Sequence, residues 1–376
     1  MTNIGIITYH AAYNFGSMMQ AFATQRAVEK LGYRTEIINY RMPMQKEYYK
    51  LYRTKYGLHT WLRDIEKLPL QKQRVLRAER FENFIAQNMR VGDEINDPEK
   101  CSAYMDKFDC VISGSDQIWN KHSLELERSD PKLMNPYLLH GFKGHKVSYA
   151  SSIGNMTDQE LDSIVDDIRS FQHISMREES SATRMSQKLG QAVISVVDPT
   201  FLIKKNEWID YLNLKVINTE PYVLYYTLSD NIKNIKKVTT VVSQFASKRG
   251  QRVLRIVPYV NLPIKEKNVI DCIDFGPNDF MKALYNASEV VTDSYHGTIL
   301  SVNLNKDFYS LCHAGGTEFR KTEILNTLGL SDRIISSAND ILNKKYYNID
   351  YYQVDAKLDK LHARSIEYLK NALSDI

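Results

Sequence analysis

The opening stretch of the chain, Ile4–Tyr40, constrains the fold more than any other. Ile4–Tyr9 (IGIITY) is a short β-branched run of the kind that forms a buried strand. The loop HAAYNFGS follows. Met18, Ala21, Val28 and Leu31 then recur at helical steps through Ser17–Leu31, and Gly32 supplies a stop. Thr35–Tyr40 (TEIINY) is a second strand-like run. Strand, helix and strand over so short a span form a βαβ unit, whose strands pair in parallel through a right-handed crossover.

The alternation continues. Strands are predicted at Asp109–Ser113, Lys146–Ala150, Ile174–Met176 and Val193–Val197, where Asp198-Pro199 ends the run. A second series follows at Tyr222–Leu228, Arg252–Val257, Val269–Ile273, Val290–Thr292 and Phe308–Leu311, with helical stretches between, and Ala356–Leu373 is helical. At roughly 150 residues per domain, a chain of 376 residues holds two or three domains. Lys, Asn and Glu accumulate over Lys204–Asn218, which marks a boundary. The expected architecture is α/β, with two Rossmann-like domains facing a cleft. They span 1–208 and 209–350, followed by a C-terminal helix over 351–376. Ligands in such sheets bind beyond the carboxyl ends of the strands.

The first domain carries an insert over 44–100 that has no strand signal. Between Lys46 and Arg80 it holds ten Lys/Arg against four acids, a local balance of 10 − 4 = +6, with Tyr48, Tyr49, Tyr52, Tyr56 and Trp61 interleaved. The whole chain has a net charge of only +4, so the rest is slightly acidic. That is not the footprint of a nucleic-acid binder, and no nucleic-acid partner is expected. A basic helix with aromatics can lie on an anionic membrane surface; the plainer reading is a helical face that closes the cleft. Cys101, Cys110, Cys272 and Cys312 form no C-x-x-C pair, which signals neither zinc nor a thioredoxin-type site and fits a reducing compartment. MTNIGIITYH has no signal-peptide pattern, and no apolar run approaches the ~18 residues of a spanning helix. A cytoplasmic protein is expected, with a peripheral contact at the inner face of the membrane as the one membrane role open to it.

Five strand-end motifs carry the polar chemistry. In VVTDSYHGTILS, Asp293, Ser294 and His296 sit between a strand and a helix opened by Gly297-Thr298. Free amides at a helix start, a close-approaching glycine and an imidazole suit a phosphate or carboxylate. The structural alternative is that Asp293 and Ser294 only cap the helix while His296 fills a pocket. HAAYNFGSMMQAF is a second strand-to-helix turn, with Tyr13, Asn14, Phe15, Gly16 and Ser17 at the helix start. SGSDQIWN presents Asp116 as a base or sugar ligand, or as a helix cap, beside Gln117, Trp119 and Asn120, which are typical of sugar sites. It lacks the second glycine of a serine-hydrolase elbow. ISMREES places Arg177 after a strand as a bidentate anion partner or a structural ion-pair member. HAGGTEFRKTEIL brings Arg320 near another glycine-rich turn. No Walker A, H-E-x-x-H or G-x-G-x-x-G appears, and no spacing encodes a metal site.

The segments NFGSMMQAFA, SGSDQIWN, KVSYASSIG, SMREESS, VVDPT and TDSYHGTILS, in this order and spacing, resemble the polysaccharide pyruvyl transferase family from about Ile4 to Arg333. The resemblance implies a GT-B-like fold. It also implies transfer of the enolpyruvyl carbon of phosphoenolpyruvate to two hydroxyls of a polysaccharide sugar or its lipid-linked precursor, forming a pyruvate ketal with no cofactor. By the same resemblance His296-Gly297 contacts the donor, Arg177 its carboxylate or phosphate, and Asp116 faces the cleft. Many members carry Arg where this chain has Ser294, and Arg320 is the expected substitute. The expected donor set is Arg177, Ser294, Tyr295, His296, Gly297, Thr298 and Arg320. The expected acceptor set is Tyr13, Asn14, Phe15, Gly16, Ser17, Asp116, Gln117, Trp119 and Asn120. His296 is read as acid or phosphate ligand and Asp116 as base, with Arg177 completing the catalytic set. A GT-B glycosyltransferase using a nucleotide sugar, and a non-catalytic carbohydrate-binding protein, are the competing readings. Of the 24 tyrosines, Tyr9, Tyr13, Tyr149 and Tyr295 are expected at the cleft, and Tyr222, Tyr225, Tyr226 and Tyr309 in the core.

Overall fold

A computed structural model describes residues 2–42, 65, 68–123, 130–217, 220–257, 265–312, 318–343 and 348–376. The insert residues Lys46–Trp61, with their four tyrosines, and the His313–Thr317 turn lie outside the described residues.

The opening βαβ unit forms as its pattern dictates. β1 (Asn3–Ile7) and β2 (Arg34–Ile37) pair in parallel across α1 (Phe15–Lys30). β3 (Cys110–Ser113) and β4 (His145–Ser148) complete a parallel sheet of order β2-β1-β3-β4. Single bridges at Val147–His173 and Ser151–Met176 carry it on to the parallel pair β5 (Ser175–Met176) and β6 (Ile194–Ser195). α2 (Gln71–Asn88) is the described part of the basic insert.

The second series builds another parallel sheet, of order β12-β11-β10-β7-β8-β9. Its strands are β7 (Tyr222–Tyr226), β8 (Arg252–Ile256), β9 (Val269–Asp271), β10 (Glu289–Thr292), β11 (Asp307–Leu311) and β12 (Ile334–Ile335). β7 and β10 are buried on both faces, which is why Tyr222–Tyr226 and Val290–Val291 read as near-continuous apolar runs. Between these strands lie α3 (Pro277–Asn286), α4 (Tyr295–Asn303) and α5 (Phe319–Leu328).

One apolar cluster runs through both sheets, from Ile4, Phe15 and Phe22 to Leu224, Phe280 and Leu300. The seam between them is aromatic: Phe15 stacks on Phe280 at 4.7 Å between ring centroids, and both meet Tyr226 edge-on. α2 spans this seam. Arg77 is buried, donates to the carbonyl of Val257 at 2.7 Å and lies over the Phe15 ring. Arg80 pairs with Asp274 and Asp279 at the start of α3. These two cations are therefore engaged across the seam rather than presented to a membrane surface. No helix among the described residues is long and apolar enough to cross a membrane.

The last helix, α6 (Tyr351–Ser374), does not stand apart from the two sheets. It returns to the first one, where Tyr368 donates to the Ser148 carbonyl, Tyr33 to that of Leu373, and the Val197 amide to Ser365.

Candidate active site

Parallel strands put the loops after β1, β3, β7 and β10 at one edge of each sheet, and these edges face one another across the seam. A cavity of about 330 Å³ lies there, lined by Asn14, Ser17, Asp116, Gln117, Ser294, Tyr295, His296 and Arg320 among others. Asn14 caps α1, its side chain accepting from the amides of Gly16 and Ser17. The cap starts the helix where Gly16 meets the His296 ring of α4. A Cβ on Gly16 would fall 2.3 Å from the His296 ring, so only glycine lets the α1 N-terminus rest against that imidazole.

Asp116 holds the opposite wall. Its φ of 77° is in the left-handed region that L-residues avoid, a cost of about 1–3 kcal/mol of the kind that concentrates at functional sites. The Ser17 hydroxyl donates to one carboxylate oxygen at 2.8 Å, and the Gln117 amide to the other at 2.9 Å. Burial pushes this carboxyl up, but the charges of His296 and Arg177 and the two hydrogen bonds outweigh burial and hold it below the usual carboxylate range. Asp116 is thus a buried, ionised carboxylate at the cavity edge.

Ser294 caps α4 and fully occupies the amides that the sequence pattern assigned to ligand. The Gly297 amide donates to its hydroxyl and the Thr298 amide to its carbonyl. The Gly297 Cα faces inward, against Thr292 and Tyr226. Among the described residues, the amides without a protein acceptor at this helix start are those of Tyr295 and His296, one turn earlier than the glycine suggested. Asp293 also lines the cavity, but both its carboxylate oxygens are engaged, accepting from the Thr227 hydroxyl at 2.5 Å and the Leu228 amide at 2.7 Å.

Arg177 sits behind this wall. Its Nε donates to Glu178 at 3.0 Å, its Nη1 to Asp198 at 3.1 Å, and its guanidinium lies 4.5 Å from the centre of the Tyr295 ring. Burial works against its charge, but Glu178, Asp198 and Asp116 raise its pKa further. It lines an adjoining cavity of about 220 Å³ rather than the one that holds Asp116 and His296. Tyr295 and Arg320 line both, with the Arg320 guanidinium 5.5 Å from the same ring. The tyrosine ring thus has two guanidinium groups beside it and belongs to the wall of both cavities.

These features fit a profile match. The profile described as "Polysaccharide pyruvyl transferase" covers residues 14–311, from the α1 cap to the end of β11. The chain belongs to the polysaccharide pyruvyl transferase family. No curated protein sequence gives a significant match. Among solved structures, this family member is similar to S. aureus MnaA in its UDP co-structure, with a TM-score of 0.56 and 11% identity over 100% of this chain and 98% of that one. It is also similar to UDP-GlcNAc 2-epimerase of Neisseria meningitidis bound to UDP-GlcNAc, with a TM-score of 0.55 and 12% identity over 100% of both chains. At such identity the likeness establishes the GT-B fold and nothing finer.

Several residues expected at the site of this pyruvyl transferase family member lie elsewhere. Trp119 is fully buried, its indole N–H donating to the Tyr137 carbonyl, and Asn120 is buried and donates to Gln117. Phe15 belongs to the aromatic seam, and Tyr13 donates to Glu82 while packing on Phe81. Tyr9 and Tyr149 are core side chains, bonded to the carbonyls of Gln117 and Val197. The strand positions Tyr222, Tyr225, Tyr226 and Tyr309 are buried. Two residues passed over in the sequence are central. Asp198 is given no site role there, standing as the end of a run and within the VVDPT segment, yet it is buried between Arg177 and His296. Lys321, next to Arg320, is buried, bonds the carbonyls of Asp293 and Leu311 and pairs with Glu318, which ties α5 to the ends of β10 and β11. Among the described residues, no group of three or more His, Cys, Asp or Glu side chains stands ready to hold a metal ion.

Proposed function

We propose that this family member transfers the enolpyruvyl carbon of phosphoenolpyruvate to two hydroxyls of a sugar in a surface polysaccharide or its lipid-linked precursor, forming a pyruvate ketal. The observation that carries the reading is a single cavity that holds an ionised carboxylate, Asp116, with an imidazole, His296, and a guanidinium, Arg320. Protonation of an enol ether carbon and deprotonation of an attacking hydroxyl need an acid and a base on either side of one carbon. A highly anionic donor needs cations and helix amides.

In this reading Arg320 and the amides of Tyr295 and His296 bind the donor's carboxylate and phosphate. His296 delivers a proton to the CH₂ carbon, which becomes CH₃, and C2 takes on oxocarbenium character. A sugar hydroxyl bonds to C2 and gives its proton to Asp116. The C2–O bond to phosphate then breaks, and the second hydroxyl closes the ring with loss of its own proton. The net products are the ketal and inorganic phosphate. Arg177 acts here through Tyr295 and Asp198, not as a direct ligand.

The test is phosphate release from phosphoenolpyruvate with a panel of oligosaccharide and lipid-linked acceptors. Release that requires both substrates and disappears in His296→Ala, with the thermal unfolding transition retained, supports the reading; an unchanged rate in that variant overturns it. The second reading, transfer from a nucleotide sugar, draws on the UDP and UDP-GlcNAc in the S. aureus and Neisseria structures. Stabilisation by UDP but not by phosphoenolpyruvate would favour it, and the absence of turnover with every donor would favour a carbohydrate-binding role.

A further inference from the structure

Asp198 is buried at the root of the loop after β6. One oxygen accepts from the Thr200 amide at 3.0 Å and from the Thr200 hydroxyl at 2.8 Å. The other lies 3.1 Å from Arg177 Nη1 and 3.4 Å from His296 Nε2. That approach is an ion-pair distance: Nε2 is shielded from solvent and completes no hydrogen bond among the described residues, and the Asp198 carboxylate is the acceptor beside it. The arrangement therefore points donors at both oxygens. Two N–H groups, from Thr200 and Arg177, can never accept, so each oxygen must be an acceptor. Asparagine has one acceptor oxygen and would turn an NH₂ group towards a donor on one side or the other. Only a carboxylate satisfies both faces, and a carboxylate 3.4 Å from a buried Nε2 favours a proton on this nitrogen over a lone pair.

We propose that Asp198 is a positioning residue that fixes His296 with its proton on Nε2, leaving Nδ1 as the atom that exchanges a proton with the cavity. The ring lines the cavity, and of its two nitrogens only Nε2 is closed off from solvent without a partner. Gly16, between the cavity-lining Asn14 and Ser17, lies against Cγ and Nδ1, where any Cβ would fall 2.3 Å from each, so its lack of a side chain leaves that edge uncovered. A histidine whose one nitrogen is held by a buried carboxylate works with the other. Arg177, on the same carboxylate oxygen, keeps Asp198 ionised alongside the ring and ties the orientation of the imidazole to the cation that flanks Tyr295. The proton-exchange half of this inference rests on the pyruvyl-transfer reading; the tautomer half does not.

The full chain labelled with ¹⁵N-histidine tests both parts, the His296 resonances being assigned by their loss in His296→Gln. Long-range ¹H–¹⁵N correlation should show neutral His296 as the Nε2–H tautomer in the unsubstituted protein. A Nδ1–H tautomer there overturns the inference and needs no variant to show it. In Asp198→Ala, which removes both acceptor oxygens, the Nε2–H preference should be lost, and phosphate release should fall about a hundredfold in kcat with a smaller change in KM for phosphoenolpyruvate. An unchanged tautomer in a folded Asp198→Ala protein also overturns it. An Nε2–H tautomer in a protein that releases no phosphate with any acceptor leaves the positioning role standing and overturns the pyruvyl-transfer reading alone.

Discussion

At the scale of single residues, the site is governed by two contacts that cross the seam. Gly16 rests on the His296 ring, so Gly16→Ala forces a carbon into the imidazole. The expected result is at least a tenfold loss of kcat, with the unfolding midpoint lowered by a few degrees, read from phosphate release and a thermal melt. Asp116 and Asp198 both have carboxyls held below their ordinary values: burial opposes this, but the charges of His296 and Arg177 prevail. A depressed carboxyl contributes stability that is present above its unfolded value of about 4 and is lost as pH falls through the folded value. Melting temperature should therefore drop below about pH 4, and more shallowly in Asp116→Asn than in the unsubstituted protein. Equal slopes would show that Asp116 does not carry this linkage. The motifs NFGS, SGSD and SYHG are legible in sequence as strand-end turns. Their meeting is not, because Gly16 and His296 come from opposite ends of the family match and only the seam joins them. The role of Asp198 is hidden for a related reason: its partners Arg177 and His296 are remote in sequence, while its local pattern, Asp-Pro, reads as a stop.

At the scale of elements, strands rich in β-branched residues were the most legible part. β1, β3, β7, β8, β10 and β11 lie within a residue or two of their apolar runs. β12 is only Ile334–Ile335, too short to show a period, and depends on β11 for its pairing. Val193–Val197 shrinks to the two-residue β6 because Val196 and Val197 turn away to bring Asp198 to the site. The role of α2 was least legible, because charge pattern alone does not say what a cation faces. Gly276, at the start of α3, accepts the Arg80 backbone and Cβ so closely that any added Cβ would fall 2.4 Å from the latter. Gly276→Val should lift α2 from α3 and loosen the seam. A larger radius of gyration in solution scattering and a raised KM are expected; unchanged scattering would show that α2 does not set the aperture of the cleft.

At the scale of the whole molecule, two parallel sheets share one apolar cluster and place their loop edges at a single cavity. The doubled α/β pattern was readable from periodicity alone, as was the placement of polar motifs after strands. The return of the final helix to the first sheet was not, because an amphipathic helix shows which face is apolar but not which surface covers it. The Tyr368 hydroxyl bonds the Ser148 carbonyl at the end of β4. Tyr368→Phe should cost about 1 kcal/mol in denaturant unfolding while leaving kcat unchanged, since it removes one of the two side-chain hydrogen bonds to a buried carbonyl that the Ser175 hydroxyl still bonds. A loss of activity with full stability would mean that α6 reaches the site by another route.

That returning helix has a consequence for the order of synthesis. The residues that cover β4 and brace the loop before Asp198 leave the ribosome after the entire second sheet. The first unit therefore cannot reach its final packing as it emerges, and must wait with an uncovered apolar face while the second unit forms. Maturation of the cleft waits, for this protein, on the emergence of its returning helix.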